Sequence, residues 1–229
     1  MQCLSLDEFN RLTFEAEVLS RDLHGDKVLQ TSDGTIYKLF RLKRKLSSAT
    51  IVPYATRFAK AAHELKRRDV RSIEVKQVFR VKAIKRDVVV YEYLEGKILR
   101  EAIADASRRD GLLDELTRFL ASLHAKGIYF RGMHFANLLV LPEGGLGLID
   151  VSETRFRRGK LGPRLRARNL KHMLRYQEDI QAMQAFGLDR FLARYIENSA
   201  LSPRESSVFL SAAGRSHALI ADAVKRLKP

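Results

Sequence analysis

The chain carries one cysteine, Cys3, among 229 residues. A lone thiol excludes an internal disulfide and fits a reducing compartment. No apolar run approaches the ~20 residues that a membrane span needs. The start, Met1 to Phe9, lacks the basic segment and apolar core of a secretory leader, which predicts a cytoplasmic protein. Internal repeats and low-complexity linkers are absent as well. Acidic residues are the last shortage: 27 Asp and Glu stand against 42 Lys and Arg, a net charge of +15. Such a surplus carries a self-repulsion cost and usually serves an anionic partner, whether nucleic acid, anionic lipid or phosphorylated glycan.

What is present reads as a globular chain. Hydrophobic content of 45% is too high for disorder. The length allows a good core but is short for two independent domains, so two small lobes fit best. Residues 14–42 alternate as a three-strand meander, with turns at His24-Gly-Asp26 and Ser32-Asp-Gly34. Residues 50–66 follow helical spacing, with Ile51, Tyr54, Phe58, Ala61, Ala62 and Leu65 on one face and Ser47 or Ser48 as N-cap. Val75 to Val81 and Val88 to Tyr93 read as two more strands. Leu112, Leu113, Leu116, Phe119, Leu120 and Leu123 then mark a helix that stops at Gly127. From about residue 164 onward the pattern is mostly helical.

The most specific stretch is Phe130-Arg-Gly-Met-His-Phe-Ala-Asn137, which enters a short hairpin. Leu138 to Leu141 reads as a strand, Pro142-Glu-Gly-Gly145 as a turn, and Leu146 to Ile149 as the returning strand. Asp150 follows, 13 positions after Asn137. An amide and a carboxylate thus stand at the two ends of one hairpin, where both oxygens can reach a single divalent ion. Mg²⁺ takes one or two protein oxygens and completes its shell with water and phosphates. Asp150 also ends an apolar strand, where a carboxylate is costly unless it is paired or bound to metal. His134 reads equally well as a brace for the loop and as a catalytic group.

With these residues the chain resembles the bacterial lipopolysaccharide core kinases (the Kdo and heptose kinases), near the branch labelled toluene-tolerance proteins. Aminoglycoside-type phosphotransferases of the same fold carry His-Gly-Asp-x-His-x-x-Asn, which residues 130–137 overlie. The resemblance covers most of residues 14–156 and is specific in 129–150. It implies an α+β, protein-kinase-like two-lobe fold. Residues 1–95 would form the N-lobe, a five-strand antiparallel sheet plus one helix. Residues 96–229 would form a trimmed, mostly helical C-lobe containing the 137–150 hairpin. It further implies ATP and Mg²⁺ as cofactors and a sugar hydroxyl of the lipopolysaccharide core as acceptor. Asn137 and Asp150 would hold metal, and Lys38 the phosphates. Glu92 and Tyr93, in the connector Tyr91 to Gly96, would meet the adenine edge, while Asp150, His134 and Arg131 would serve catalysis.

Three departures point to an alternative, a pseudokinase acting as scaffold or regulator in envelope biogenesis. Gly132 stands where the family's catalytic Asp orients the acceptor hydroxyl. No Glu lies on the apolar helix face that should pair Lys38, since Phe58 is central there and Glu64 lies off the stripe. The glycine-rich phosphate loop is reduced to one glycine in Ser20 to Asp26. Phosphoryl transfer depends chiefly on positioning and charge neutralisation, so a missing base slows rather than forbids it. With an intact acceptor site, restoring the carboxylate by Gly132→Asp is therefore expected to raise transfer.

Between Arg155 and Arg175 there are nine basic residues and no acid: Arg155, Arg157, Arg158, Lys160, Arg164, Arg166, Arg168, Lys171 and Arg175. Solvated helix faces usually interleave acids, so this run predicts anion binding, with residues 155–168 meeting the acceptor. An anionic glycolipid fits, as does peripheral association with the anionic inner-membrane surface. Only Phe156 interleaves as an aromatic, and no nucleic-acid motif occurs, which argues against a nucleic-acid partner.

Overall fold

The computed structural model describes residues 1–41 and 52–227. It is an α+β structure that divides into two compact units, Met1–Leu94 with Val151–Glu153, and Glu95–Asp150 with Thr154–Pro229. Among the described residues, no helix is long and apolar enough to cross a membrane.

The first unit runs β1 (Gln2–Leu4), α1 (Leu6–Leu12), β2 (Glu17–Asp22), β3 (Gly25–Gln30), β4 (Thr35–Arg41), α2 (Tyr54–Arg67), β5 (Val75–Val81) and β6 (Arg86–Glu92). These strands make one six-stranded sheet in the order β1-β5-β6-β4-β3-β2. Every neighbouring pair is antiparallel except β1 with β5. The expected meander and two later strands are all present, but the five-strand, one-helix reading omits β1 and α1. Both are too short for periodicity to detect. The sequence did carry a local sign of α1 in Ser5-x-x-Glu8, a capping box. Glu8 N–H donates to Ser5 Oγ at 3.2 Å, and Ser5 N–H donates to Glu8 Oε2 at 2.8 Å.

Alternation along β4 sends neighbouring side chains to opposite faces of the sheet. Tyr37 and Leu39 join Phe9 of α1, Phe79 and Val88 in one core. Phe40 meets Phe58 of α2 across the other face, ring centroids 5.6 Å apart. With a helix on each side, the central strand β6 reads as the continuous apolar run Val88-Val89-Val90, all buried. Helix α2 starts at Tyr54 behind Pro53, which makes no side-chain cap. The expected caps Ser47 and Ser48 lie outside the described residues.

The second unit contains β7 (Lys97–Ile98), α3 (Leu99–Ala102), α4 (Ala106–Ala125), β8 (Ile128–Phe130), β9 (Leu138–Val140), β10 (Leu146–Leu148) and β11 (Thr154–Phe156). Five helices follow: α5 (Pro163–Leu170), α6 (Gln177–Phe186), α7 (Leu188–Asn198), α8 (Pro203–Gly214) and α9 (Ala218–Leu227). Its strands form two small sheets, β10-β9-β7 and β11-β8. Helix α4 buries the expected leucine stripe and ends before Gly127, whose φ is +71°. A Cβ at Gly127 would lie 2.5 Å from Gly159 O and 2.7 Å from Arg157 O, so only glycine fits.

A buried polar network ties α4, β8, α5 and α7 together. His124 Nδ1 lies 2.7 Å from the Tyr195 hydroxyl and Nε2 3.1 Å from Asn169 Oδ1. Asn169 Nδ2 donates to Phe130 O at 2.6 Å, and Arg166 donates to the Tyr195 hydroxyl at 3.2 Å. Since Asn169 Oδ1 only accepts, His124 Nε2 carries the proton and Nδ1 accepts from Tyr195. Burial above all, helped by the Arg166 cation, pushes His124 down to about 3, despite the opposing Asn169 bond.

This histidine makes the fold acid-labile. Its folded-state pKa lies below its unfolded value near 6.5, so between pH 6.5 and 3 the unfolded chain binds a proton that the native one refuses. Stability should be fully present above pH 6.5 and fall by up to about 1.4 kcal/mol per pH unit below it. Urea titrations across that range should show the slope, and His124→Gln should flatten it. An unchanged slope in that variant would remove His124 as its cause.

Candidate functional site

The hairpin forms in the expected register. Leu148 pairs with Leu138, Gly147 with Leu139 and Leu146 with Val140. Leu141 N–H donates to Gly145 O at 3.1 Å across the turn. One step beyond the ladder, Ile149 N–H donates to Asn137 O at 3.0 Å. This bond brings the backbone of Asn137 beside the residue preceding Asp150, so the amide and the carboxylate stand at the same open end. Asp150 itself is exposed, and its φ of +51° is left-handed. The expected desolvation cost is therefore not what keeps a carboxylate here, because the chain has already left the apolar strand. A non-glycine residue in this region costs on the order of 1 kcal/mol, least for Asp and Asn, and such strain is characteristic of functional turns.

Asn137 also braces the loop before it. Its Nδ2 donates to Gly132 O and to His134 Nε2, both at 3.0 Å. With the nitrogen committed there, the carboxamide presents Oδ1 as its acceptor end. Among the described residues no group of three or more His, Cys, Asp and Glu side chains could hold a metal. The donors that the resemblance implies would be two oxygens, from Asn137 and Asp150. That suits a hard cation such as Mg²⁺, which draws its other ligands from water and phosphate, and does not suit zinc.

His134 sits within the same brace. Accepting from Asn137 leaves its proton on Nδ1, which is buried and has no partner among the described residues. Burial is the main cause lowering its pKa, with Arg100 and Arg175 adding to it, while Asp179 and Asp150 act in the opposite sense. The ring packs edge-on to Tyr176 at 4.9 Å. A neutral imidazole with its lone pair engaged is arranged to hold the loop.

Gly132 is required by packing. A Cβ there would lie 2.9 Å from two carbons of the Phe130 ring and 3.0 Å from Asn137 Nδ2. Phe130 is fully buried, so its ring has little room to yield. Packing argues against the expectation that Gly132→Asp raises transfer: the added side chain would displace the residues it was meant to serve.

Arg100 and Asp179 also support the loop, though no sequence motif marks them. Asp179 has no exposed surface. It accepts from Arg100 at 2.7 and 3.0 Å and from the Phe135 backbone N–H at 3.1 Å. The Arg100 guanidinium also covers the Tyr176 ring at 4.9 Å. One buried carboxylate thereby fixes the start of the 3-10 turn Phe135–Asn137. An acid in the first turn of α6 reads in sequence as ordinary helix-dipole compensation, and nothing local marks its partners 44 and 79 positions away.

The residues expected to meet the nucleotide lie in the first unit. Lys38 is half-buried in β4, with its Nζ 5.1 Å from the Phe58 ring centroid and 5.7 Å from that of Phe40. The aromatic α2 face thus supplies cation–π contacts at the place where the resemblance implies a Glu. Glu64 pairs instead with Arg67 at 2.7 Å and Arg68 at 3.6 Å. Glu92 is exposed and pairs with Lys76 at 3.0 Å, and the Tyr93 N–H already donates to Gly34 O at 3.2 Å. The β2–β3 connection is a tight hairpin in which Asp22 pairs with Gly25.

Folding sorts the basic run into separate groups. Arg166 does not belong to an anion-binding surface: it is 2% exposed and donates to Leu161 O and to Tyr195. Lys160 is paired with Glu205 at 3.0 Å, so the missing acid arrives from α8. Arg158 and Arg164 are exposed. Arg155, Arg157 and Arg168, exposed as well, join Arg131 in lining a cavity of about 280 Å³ with Tyr129 and Leu165. No protein-family model and no curated protein matches the chain.

Two substitutions test this account of the loop. Asp179→Ala should destabilise by about 3–5 kcal/mol, the usual consequence of stranding one partner of a buried pair. It should also accelerate amide exchange at Phe135–Asn137. Gly132→Asp should cost about 1–3 kcal/mol through overpacking. Urea unfolding checks both, and a neutral Gly132→Asp would show that the loop has room for the carboxylate.

Proposed function

We propose that the chain is an ATP- and Mg²⁺-dependent phosphotransferase of protein-kinase-like, two-lobe architecture. Its acceptor is a sugar hydroxyl of the lipopolysaccharide core. The observation that carries this reading is the meeting of Asn137 and Asp150 at one end of the 138–148 hairpin, through the Ile149–Asn137 bond. A bound Mg²⁺ would neutralise phosphate charge there. Asn137 would contribute its carboxamide oxygen, held by the Gly132 and His134 contacts. Asp150 would contribute a carboxylate carried on a backbone already in its turned conformation. Lys38 is the residue that the resemblance assigns to the phosphates, and Arg131 with the basic cavity supports an anionic acceptor. The acceptor's identity as a core glycan comes from the resemblance, and the excess of positive charge agrees with work at the anionic inner-membrane surface.

A second reading, a pseudokinase that acts as scaffold or regulator, is favoured by three specific observations. Gly132 leaves no space for a catalytic Asp, Lys38 rests on aromatic rings, and the Tyr93 N–H is bonded to Gly34. Nucleotide binding and phosphoryl transfer are therefore tested separately.

In a thermal melt, Mg²⁺-ATP at ~100 times its dissociation constant should stabilise by about 2.7 kcal/mol, roughly 5–10 °C for a chain of this size. The shift should require the metal. Asp150→Asn, which tolerates the left-handed backbone but removes the charge, should abolish it. A full shift in that variant would overturn the metal assignment. Metal-dependent binding without transfer to lipopolysaccharide core fragments would select the pseudokinase.

A further inference from the structure

The long basic run would be an ordinary solvated face if its side chains were spread evenly, but they are not. Four guanidinium groups converge from three pieces of structure. Arg131 follows β8, Arg155 lies on β11 directly opposite Tyr129, Arg157 follows β11, and Arg168 comes from α5. Leu165, one turn before Arg168, supplies the apolar side. No acid lines the cavity, and neither Arg155 nor Arg168 makes an ion pair among the described residues. At its base, Tyr129 is only 7% exposed and its hydroxyl lies 3.1 Å from His172 Nε2. Guanidinium groups gathered around one small space make a positive potential there that attracts an anion. Elsewhere in the run Lys160 is tied to Glu205 and Arg166 is buried, while Arg158 and Arg164 are exposed outside the cavity lining.

We propose that the cavity bounded by Arg131, Arg155, Arg157 and Arg168 over Tyr129 is a binding site for a phosphomonoester group. A phosphomonoester carries about −1.5 to −2 charge and three acceptor oxygens at neutral pH, which several guanidinium forks can share bidentately. A carboxylate offers half the charge and two oxygens. The volume of about 280 Å³ lies just under the ~300 Å³ at which small-molecule sites begin. It suits one phosphate with the adjoining part of a sugar, not a whole oligosaccharide. Placing that phosphate on the acceptor rests on the phosphotransferase reading. The binding itself is measured without nucleotide, so each can fail alone.

His172 is a built-in reporter. Burial and then the cations Arg131, Arg168, Arg175 and Lys171 lower its pKa, and Tyr129 faces it from β8. An anion seated among the arginines should raise that pKa. The experiment is an NMR pH titration of the His172 imidazole, assigned with His172→Gln, in chloride at constant ionic strength. Inorganic phosphate or glucosamine 1-phosphate is then added. Saturable upward shifts are expected, larger than chloride produces. Tighter binding of the sugar phosphate identifies a phosphorylated glycan as the source, and equal binding identifies the phosphate group alone.

Arg155→Gln and Arg168→Gln, each compared with its own ligand-free value, should weaken binding at least 10-fold. Arg164→Gln, on the same helix but off the cavity, should leave it unchanged. Equal losses in Arg164→Gln and Arg168→Gln would overturn the proposal in favour of a diffuse charged face, as would a phosphate effect no larger than that of chloride. Tight binding of single-stranded nucleic acid, lost equally at every basic position, would overturn it in favour of a nucleic-acid surface.

Discussion

The buried carboxylate of Asp179 is the constraint on which the site depends. A charge without solvent must be matched in place, and Arg100 together with the Phe135 amide supplies the match. Because Phe135 opens the turn that ends at Asn137, the pairing that satisfies Asp179 also fixes where the hairpin begins. On the other side of the loop, Asn169 holds the Phe130 carbonyl. Residues 131–134 are thus suspended between two buried polar anchors. Gly132 is the one position where the resulting path leaves no room for a Cβ.

That packing changes the meaning of the missing Asp. Read as a motif, residues 130–137 are a catalytic loop with one residue lost. In three dimensions they form a self-consistent loop, with Asn137 and His134 bonded across the space that a larger side chain would fill. The loop is held by the Asn137 contacts to Gly132 O and His134 Nε2, and its arrangement requires glycine as much as the hairpin requires its turn.

Charge follows the same logic. The surplus of +15 is distributed by burial and pairing before it can act on a partner. Arg166 works inside the fold, Lys160 works between elements, and Arg131, Arg155, Arg157 and Arg168 gather around Tyr129. A basic run in sequence and a basic cavity in space therefore contain different residues, since Arg131 enters the cavity from outside the run.

Local chemistry determined a good deal by itself. The alternation of residues 14–42, the valine strands, the leucine stripe of α4 and the Asn137–Asp150 hairpin all follow from near-neighbour spacing, which a linear pattern records. Even α1, too short for periodicity, carries its capping box in the sequence. Tertiary structure alone decided that Asp150 is exposed, that Phe58 lies under the Lys38 ammonium, that Gly132 is hemmed in, and that Asp179 and Arg100 support the loop. Each of these depends on partners far apart in the chain. Burial and unpaired polar atoms exist only once the chain has closed on itself, so no window of sequence contains them.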